Sequence, residues 1–256
     1  MADFVMRANQ PVRVERIIIG AKYAHLLGKP LKLRRITPVF VPDNPDVDAR
    51  LAGHADLSVF HAAGKEIWLA PYLRESDFAA RLAELGARVH IADIAQSALY
   101  PNDAQMNIAA LGNTVIYNPR VSYAPSVEYL LSTCRMRGVS VRQGYAKCSV
   151  LIVDDNSLIT SDAGIARAAC AAGLNVLEIT SGHVTLDGFA HGFLGGAGVK
   201  LSADTLAFTG TLDHHPDKSR ILAFLAARGI SAVYLTSLPV FDIGSAIPIT
   251  EKTEQR

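Results

Sequence analysis

The side chains best suited to chemistry in this 256-residue chain recur at a nearly constant interval. Steps of 47, 45, 48 and 46 residues separate, in turn, Asp56, Asp103, Cys148, Gly196 and Asp242. Three carboxylates brought to one place raise the pKa of at least one of them, which is how acid–base pairs arise. An Asp at a strand entrance also commonly caps a turn by accepting local N–H groups. The even spacing favours one shared site.

Cys148 is the strongest nucleophile in this set, and His54 is the acid–base group nearest to the first carboxylate in sequence. The basic neighbour Lys147 could lower the pKa of the Cys148 thiol and so favour the reactive thiolate. The apolar run 150–152 that follows is instead typical of a buried, structural cysteine. Both interpretations stay open. The predicted catalytic residues are Cys148 and His54, and the predicted substrate-binding residues are Asp56, Asp103, Asp242, Ser245, Gly195 and Gly196.

Around Gly196, glycines occupy the positions at which the other equally spaced segments carry polar side chains. Gly195, Gly196 and Gly198 could cradle an anion through bare backbone amides. The segment lacks the Lys-Ser/Thr ending of a phosphate loop and opens no evident helix, so nucleotide binding is not expected. We favour a crowded wall in which only glycine fits.

The histidine-rich segment 213–217 resembles a metal cluster at first sight. Pro216 and the helix that follows favour a turn in which Asp217 caps the helix, with His214 and His215 beside it. We therefore expect no bound metal ion and no cofactor. The roles of His183 and His191 stay open. Three cysteines without CxxC spacing suggest neither a disulfide framework nor a zinc knuckle.

Each of the equally spaced residues lies near the start of a repeated unit of roughly 45–50 residues. A repeat of this length is typical of propellers and solenoids. The unit reads strand, turn, strand, helix, strand. Its helix is followed by a glycine, a common left-handed stop, at positions 86, 138, 173 and 229. Hairpin turns are predicted at Gly112-Asn113, Asp155-Asn156 and Ala203-Asp204. Helix N-caps are predicted at Ser76 or Asp77 and at Asp162.

The two ends of the chain supply a fifth unit. We predict an α/β fold, a five-unit β/α propeller with pseudo-fivefold symmetry, whose ring is closed by pairing of the N- and C-terminal segments. Such closure removes exposed sheet edges. Residues 1–256 form one domain, with units at 53–100, 101–144, 145–190, 191–238, and 239–251 together with 12–52.

Composition excludes several classes of function. A net charge of +1 with 19% charged residues gives no electrostatic footprint for nucleic acid. No apolar run reaches the ~20 residues that cross a bilayer, and no signal-peptide stretch is evident, so we expect a cytoplasmic protein that binds neither membranes nor nucleic acid. Its oligomeric state is not predicted.

The repeated units and three motifs, KCSVLIV, ITSDAGI and GFLGGAG, resemble the pentein (β/α propeller) superfamily, and most closely a bacterial GME-fold family of uncharacterised proteins. The segment Ala110–Val121 is similar to a strand-turn-strand of the same superfamily. The superfamily includes arginine deiminases, dimethylarginine hydrolases, amidinotransferases and a non-catalytic ribosome anti-association factor. The resemblance implies a hydrolase or transferase that acts on a guanidino, amidino or amide small molecule.

The chain departs from the deiminase pattern at two positions. Pro101 stands where the deiminases have a histidine, although Asp103 matches their acid, and Ala197 follows Gly195-Gly196 where their nucleophilic cysteine belongs. Catalysis would then depend on Cys148 and His54. The alternatives are a protein that binds a small cationic metabolite without chemistry, and a protein-interaction role like that of the ribosomal relative. Near-neutral charge weighs against the last.

Overall fold

The computed structural model describes residues 3–7 and 9–252. The strands are β1 (Asp3–Phe4), β2 (Val14–Gly20), β3 (Thr37–Val41), β4 (Val59–Ala63), β5 (Glu66–Leu69), β6 (Arg88–Ile91), β7 (Ala109–Leu111), β8 (Thr114–Tyr117), β9 (Arg137–Ser140), β10 (Leu151–Asp154), β11 (Ser157–Thr160), β12 (Asn175–Glu178), β13 (Gly198–Ser202), β14 (Thr205–Phe208), β15 (Ser231–Tyr234) and β16 (Ile247–Glu251). The α-helices are α1 (Ala24–Leu33), α2 (Asp77–Glu84), α3 (Ala124–Glu128), α4 (Ala146–Ser149), α5 (Ala163–Ala171) and α6 (Lys218–Ala226). Short 3-10 turns cover Ala21–Tyr23, Ala55–Leu57, Pro71–Leu73 and Leu194–Gly196, and a π-helical turn covers Tyr129–Thr133. No helix in these ranges is long and apolar enough to cross a membrane.

Within the described ranges the strands form five separate small sheets. Four have three strands each, in the orders β4-β5-β6, β7-β8-β9, β10-β11-β12 and β13-β14-β15. In each, the first two strands form an antiparallel hairpin and the third pairs in parallel with the second after a helical crossover. The predicted order of strand, turn, strand, helix, strand is therefore confirmed in these four sheets. The chain has a mixed α/β fold.

The fifth sheet joins the two ends of the described chain, in the order β1-β16-β2-β3. β16 pairs antiparallel with β2, with Ile247 opposite Ile18, and β2 pairs in parallel with β3. The short strand β1, which the sequence analysis did not anticipate, covers the other edge of β16. This sheet is open, as are the other four, and the predicted unit boundaries stay a prediction.

Four of the predicted local signals have different outcomes. Ser76 and Asp162 cap their helices, and their side chains accept hydrogen bonds from backbone N–H groups three residues on. Asp217 also stands before a helix, but its carboxylate accepts from Thr180 N at 2.7 Å instead, so the predicted cap is wrong. Gly138 lies inside β9, and the left-handed residue in that copy is Arg135, at φ 54°.

The core explains why the strands read as unbroken apolar runs. Successive side chains of a strand point to opposite faces, and both faces of the second strand of each unit are buried. On β2, Ile17 and Ile19 enter one apolar cluster and Ile18 enters another. Leu158 and Ile159 of β11 are divided in the same way. Strands covered on both sides lose the alternation of polar and apolar residues.

Each of the five apolar clusters lies between two sheets. The sheet of β4–β6 shares a cluster with that of β7–β9, which shares another with β10–β12, which shares a third with β13–β15. The sheet of the chain ends shares one cluster with β13–β15 and one with β4–β6. Every sheet therefore packs against two others.

Candidate functional site

The predicted site residues lie in short turns and loops that precede the first strands of the units. His54 and Asp56 belong to the 3-10 turn before β4, Cys148 lies in α4, and Asp242 precedes β16 by five residues. A strand would send alternate side chains to opposite faces. A helical turn instead keeps all four residues of α4, including Cys148, buried.

Cys148 and Asp56 form the centre of a buried polar group. The Cys148 thiol donates to Asp56 Oδ2 at 2.9 Å, and the Ser245 hydroxyl donates to the same oxygen at 2.6 Å. One ligand atom each of His54, Asp56 and Cys148 lies within 4.8 Å of the others. We call His54, Asp56, Asn107, Lys147, Cys148 and Ser245 the inner cluster. Every member is buried.

Asn107 is a site residue that sequence analysis missed. Its Nδ2 donates to Cys148 Sγ at 3.2 Å, and its Oδ1 accepts from the backbone N–H groups of Lys147 and Cys148 at 2.6 and 3.0 Å. Asn107 is fully buried between the buried apolar residues Met106 and Ile108. A polar residue in such a run was the available signal, because a buried amide needs partners.

Lys147 faces the cluster and not the solvent. Its Nζ donates to Ser245 Oγ at 3.1 Å, which links it to Asp56 through the serine. Burial lowers the pKa of Lys147, and the charges of Asp56 and Asp242 oppose that shift. The Ser245 backbone is left-handed at φ 66°, an uncommon conformation for a residue other than glycine.

The electrostatics of the cluster favour neutral groups. Burial lowers the pKa of His54 to about 4, so its imidazole is neutral at neutral pH. Burial, together with the charges of Asp56 and Asp242, raises the pKa of the Cys148 thiol well above its usual value. Of the two interpretations of Cys148, the structure thus favours a protonated, buried thiol in the resting protein.

Asp242 packs against the backbone of Gly196. Its two carboxylate oxygens accept from Phe193 N and Gly244 N, each at 2.8 Å, and burial raises its pKa to about 6. A Cβ on Gly196 would lie 1.9 Å from Asp242 Oδ1, and one on Gly195 would lie 2.5 Å from the Cys148 carbonyl oxygen. The crowded-wall interpretation of these glycines is therefore confirmed.

Asp103 is linked to the segment that carries Cys148 through a tyrosine. The Tyr145 hydroxyl donates to Asp103 Oδ2, and Tyr145 leads directly into α4. The Tyr145 ring lies 5.5 Å from that of Tyr100 and 6.4 Å from that of Phe193, measured between centroids. Tyr100 is exposed, whereas Tyr145 and Phe193 are half-buried. We call Tyr100, Tyr145 and Phe193, in this order of contact, the aromatic row.

Several buried polar atoms of this region have no hydrogen-bond partner in the described part of the chain. They are His54 Nε2, Asp56 Oδ1, Asp103 Oδ1 and Ser149 Oγ. Buried polar atoms in folded proteins are nearly always paired, and leaving one unpaired costs about 1–3 kcal/mol. Two of them, His54 Nε2 and Asp56 Oδ1, belong to the inner cluster.

Three histidines outside the inner cluster contact other residues. His215 Nδ1 accepts from Asp217 N at 3.1 Å, and the His215 ring lies 5.5 Å from that of His183. His191 contacts Ser181 and lies edge-on to Phe193. The segment 213–217 thus forms a hydrogen-bonded turn that precedes α6.

Comparison with known proteins identifies a family model that matches the chain and solved structures with a similar fold. The model of a family of unknown function, DUF6873, matches residues 18–247. No curated protein matches the chain. An amidinotransferase of saxitoxin biosynthesis from Microseira wollei superposes with a TM-score of 0.61 at 10% identity, over 98% of this chain and 99% of that one.

Two further solved structures have the same fold. An inosamine-phosphate amidinotransferase from Streptomyces griseus gives a TM-score of 0.59 at 10% identity, over 98% of both chains. An agmatine deiminase of C. jejuni gives 0.50 at 8% identity, over 90% of both chains. The pentein resemblance of the sequence is therefore confirmed at the level of the fold.

Proposed function

The chain belongs to the DUF6873 family, and from this premise and its fold we propose that it binds a small guanidino or amidino cation beside the inner cluster and hydrolyses or transfers the amidino group. The observation that carries the proposal is the pair of buried, unpartnered carboxylate oxygens, Asp56 Oδ1 and Asp103 Oδ1. A guanidinium group is planar and presents several N–H donors, which suit two carboxylates that face one ligand.

The aromatic row supports a cationic ligand. The faces of Tyr100, Tyr145 and Phe193 attract cations, since the ring quadrupole is negative there. A positive ligand held against the Tyr145 ring would lie near Asp103, which accepts from the Tyr145 hydroxyl. The solved structures of similar fold include enzymes whose names refer to amidino or agmatine substrates.

The proposed chemistry uses Cys148 as the nucleophile. A bound cation favours the thiolate and so offsets the effect of burial on the pKa of Cys148. The thiol proton passes to the neutral imidazole of His54, the sulfur forms a bond to the amidino carbon, and a carbon–nitrogen bond breaks. His54 returns the proton to the departing amine. Water, or an acceptor amine, then displaces the cysteine.

The proposal includes the predicted ring of five units about a pseudo-fivefold axis. The five apolar clusters support it, because each one joins two sheets and the sheet of the chain ends packs against the first and the fourth of the others. In such a ring the turns before the first strands meet near the axis, where the inner cluster would lie.

Ligand binding without turnover is the second candidate. It is favoured by the hydrogen bond from Cys148 to Asp56 and by the raised pKa of that thiol. Both candidates predict that guanidino compounds stabilise the protein, because a ligand that binds only the native state raises its stability.

Turnover by the wild-type protein, and its loss in Cys148→Ser, separates the two. We would incubate metal-free protein with a panel of guanidino and amidino compounds and measure released amine or ammonia, together with the melting temperature. The enzyme predicts turnover that Cys148→Ser abolishes while ligand stabilisation persists. Cys170→Ser, which alters an exposed cysteine, is the matched control. Stabilisation without product in the wild-type protein would support the binding role, and the absence of both would contradict the proposal.

A further inference from the structure

The inner cluster also contains a set of metal-ligand atoms. His54, Asp56 and Cys148 offer one nitrogen, one oxygen and one sulfur, and these atoms lie within 4.8 Å of one another. All three side chains are buried. The histidine and aspartate come from one turn and the cysteine from α4, nearly a hundred residues away, so tertiary folding assembles the set.

We propose that His54, Asp56 and Cys148 bind a divalent zinc ion. A thiolate ligand disfavours Mg²⁺ and Ca²⁺, which take oxygen ligands, whereas zinc accepts nitrogen, oxygen and sulfur together. Three protein ligands leave a fourth position for water or another small ligand, as in catalytic rather than structural zinc sites. This proposal departs from our expectation, from the sequence, of no metal.

Unpartnered atoms at the same place provide the second observation. His54 Nε2 and Asp56 Oδ1 are buried and accept or donate no hydrogen bond within the residues described. Asp56 Oδ1 carries a lone pair that a metal ion would use, and His54 Nε2 carries one in the tautomer protonated at Nδ1. An organic cation could satisfy the carboxylate oxygen, but a cysteine sulfur and an imidazole nitrogen beside it are the donors that zinc prefers.

Neighbouring hydrogen bonds already orient two of the ligands. Asn107 Nδ2 donates to Cys148 Sγ at 3.2 Å, and the Ser245 hydroxyl donates to Asp56 Oδ2 at 2.6 Å. Partners of this kind fix ligand geometry in metal sites, and their loss costs about 10–100-fold in metal affinity. Asn107 thus becomes a positioning residue whose contribution is measurable.

The charges balance when the metal binds. The thiol hydrogen bond from Cys148 to Asp56 breaks, the thiol proton leaves to solvent, and sulfur–metal, oxygen–metal and nitrogen–metal bonds form. One thiolate and one carboxylate neutralise the two positive charges of the ion, so the three ligands and the ion together carry no net charge. Loss of the thiol proton and arrival of the ion change the net charge of the site by +1.

Zinc and the proposed guanidino ligand would both need Asp56 and Cys148, so each excludes the other and the ion acts as a reversible block of the site. The block rests on the proposed function, whereas metal binding itself does not. Failure of the two is therefore distinguishable: metal binding is read from spectra of the protein alone, and turnover is assayed in metal-free protein.

The test is titration of metal-free protein with Co²⁺, a coloured substitute for zinc, followed by competition with Zn²⁺. We expect a near-ultraviolet thiolate-to-cobalt band that saturates at one ion per chain and that Zn²⁺ displaces. Cys148→Ser should abolish the band, and Asn107→Ala should weaken binding about 10–100-fold. A Cys134→Ser/Cys170→Ser double variant is the control and should keep the wild-type band.

The wild-type result decides the matter even if a variant fails to fold. No thiolate-to-cobalt band in the folded wild-type protein would overturn the proposal. A band that survives in Cys148→Ser and disappears in the double control variant would also overturn it, since the metal would then be held by the other two cysteines.

Discussion

Replacing Gly196 by alanine should destabilise the protein through a direct clash with Asp242. The added methyl would lie 1.9 Å from Asp242 Oδ1 and 2.5 Å from its Cγ. The carboxylate cannot retreat freely, because its oxygens accept from Phe193 N and Gly244 N at 2.8 Å each. Overpacking a core costs about 1–3 kcal/mol, and a hydrogen bond to a charged group contributes about 1.5–3 kcal/mol. We therefore expect Gly196→Ala to lower the free energy of unfolding by about 3–5 kcal/mol.

The same substitution at Gly28 is the matched control. Gly28 lies inside α1, and a Cβ there would lie 3.6 Å from Phe40 Cζ, an ordinary contact. Alanine is favoured over glycine within a helix by about 0.5–1 kcal/mol, so Gly28→Ala should be stabilising. Urea unfolding of the wild-type protein and both variants, followed by circular dichroism, measures the two shifts in opposite directions.

A double-mutant cycle identifies the cause of the Gly196 effect. Asp242→Ala removes the atoms that clash, so the combined variant should be less destabilised than the sum of the single variants. If Gly196→Ala were as stable as the wild-type protein, the interpretation that only glycine fits at this position would be refuted. Strict additivity in the cycle would show that the methyl disturbs something other than Asp242.

Three further predictions concern titration and reactivity. In ligand-free protein, iodoacetamide should label Cys170 fastest and Cys148 slowest, with Cys134 between them, since Cys170 is exposed and Cys148 is buried with a strongly raised pKa; peptide mass spectrometry measures the order. Because burial lowers the pKa of His54 from 6.5 to about 4, the contribution of His54 to stability should fall by about 3 kcal/mol as the pH decreases through that range. The raised pKa of Asp242 acts in the opposite direction in both proteins, so the quantity to measure is the difference in unfolding free energy between wild type and His54→Gln, which should change by that amount in urea unfolding. Hydrogen bonding lowers the pKa of Asp217 from 3.8 to about 2, so its contribution to stability should be present above pH 4 and lost as the pH falls toward 2, a loss that acid unfolding of Asp217→Asn should lack.

Hairpin turns and helix caps could be predicted from the sequence because they depend on residues that are close together in the chain. Hairpin turns such as Asp155-Asn156 and caps such as Asp162 follow from the conformations that those residues adopt. The cap expected at Asp217 was wrong because a distant backbone group, Thr180 N, competes for its carboxylate. The strand β1 was missed because two residues carry no periodicity.

The site could be predicted in part, through the equal spacing of its members. The spacing identified Asp56 and Cys148, and the fold brings them into hydrogen-bond contact. The spacing could not show which atoms would meet, so the protonated state of Cys148 and the partnership of Asn107 required coordinates. The metal-ligand set was missed for the same reason, since His54 and Cys148 are far apart in sequence.

Calorimetric titration of metal-free protein with matched pairs of ligands tests the central claim most directly. Arginine and agmatine carry a guanidinium group, and ornithine and putrescine carry an amine in its place. The proposal predicts that at least one guanidino compound binds, that its amine counterpart binds much more weakly, and that Asp56→Asn and Asp103→Asn each reduce the affinity. Equal affinity within each pair, or no binding by any guanidino or amidino compound, would contradict it.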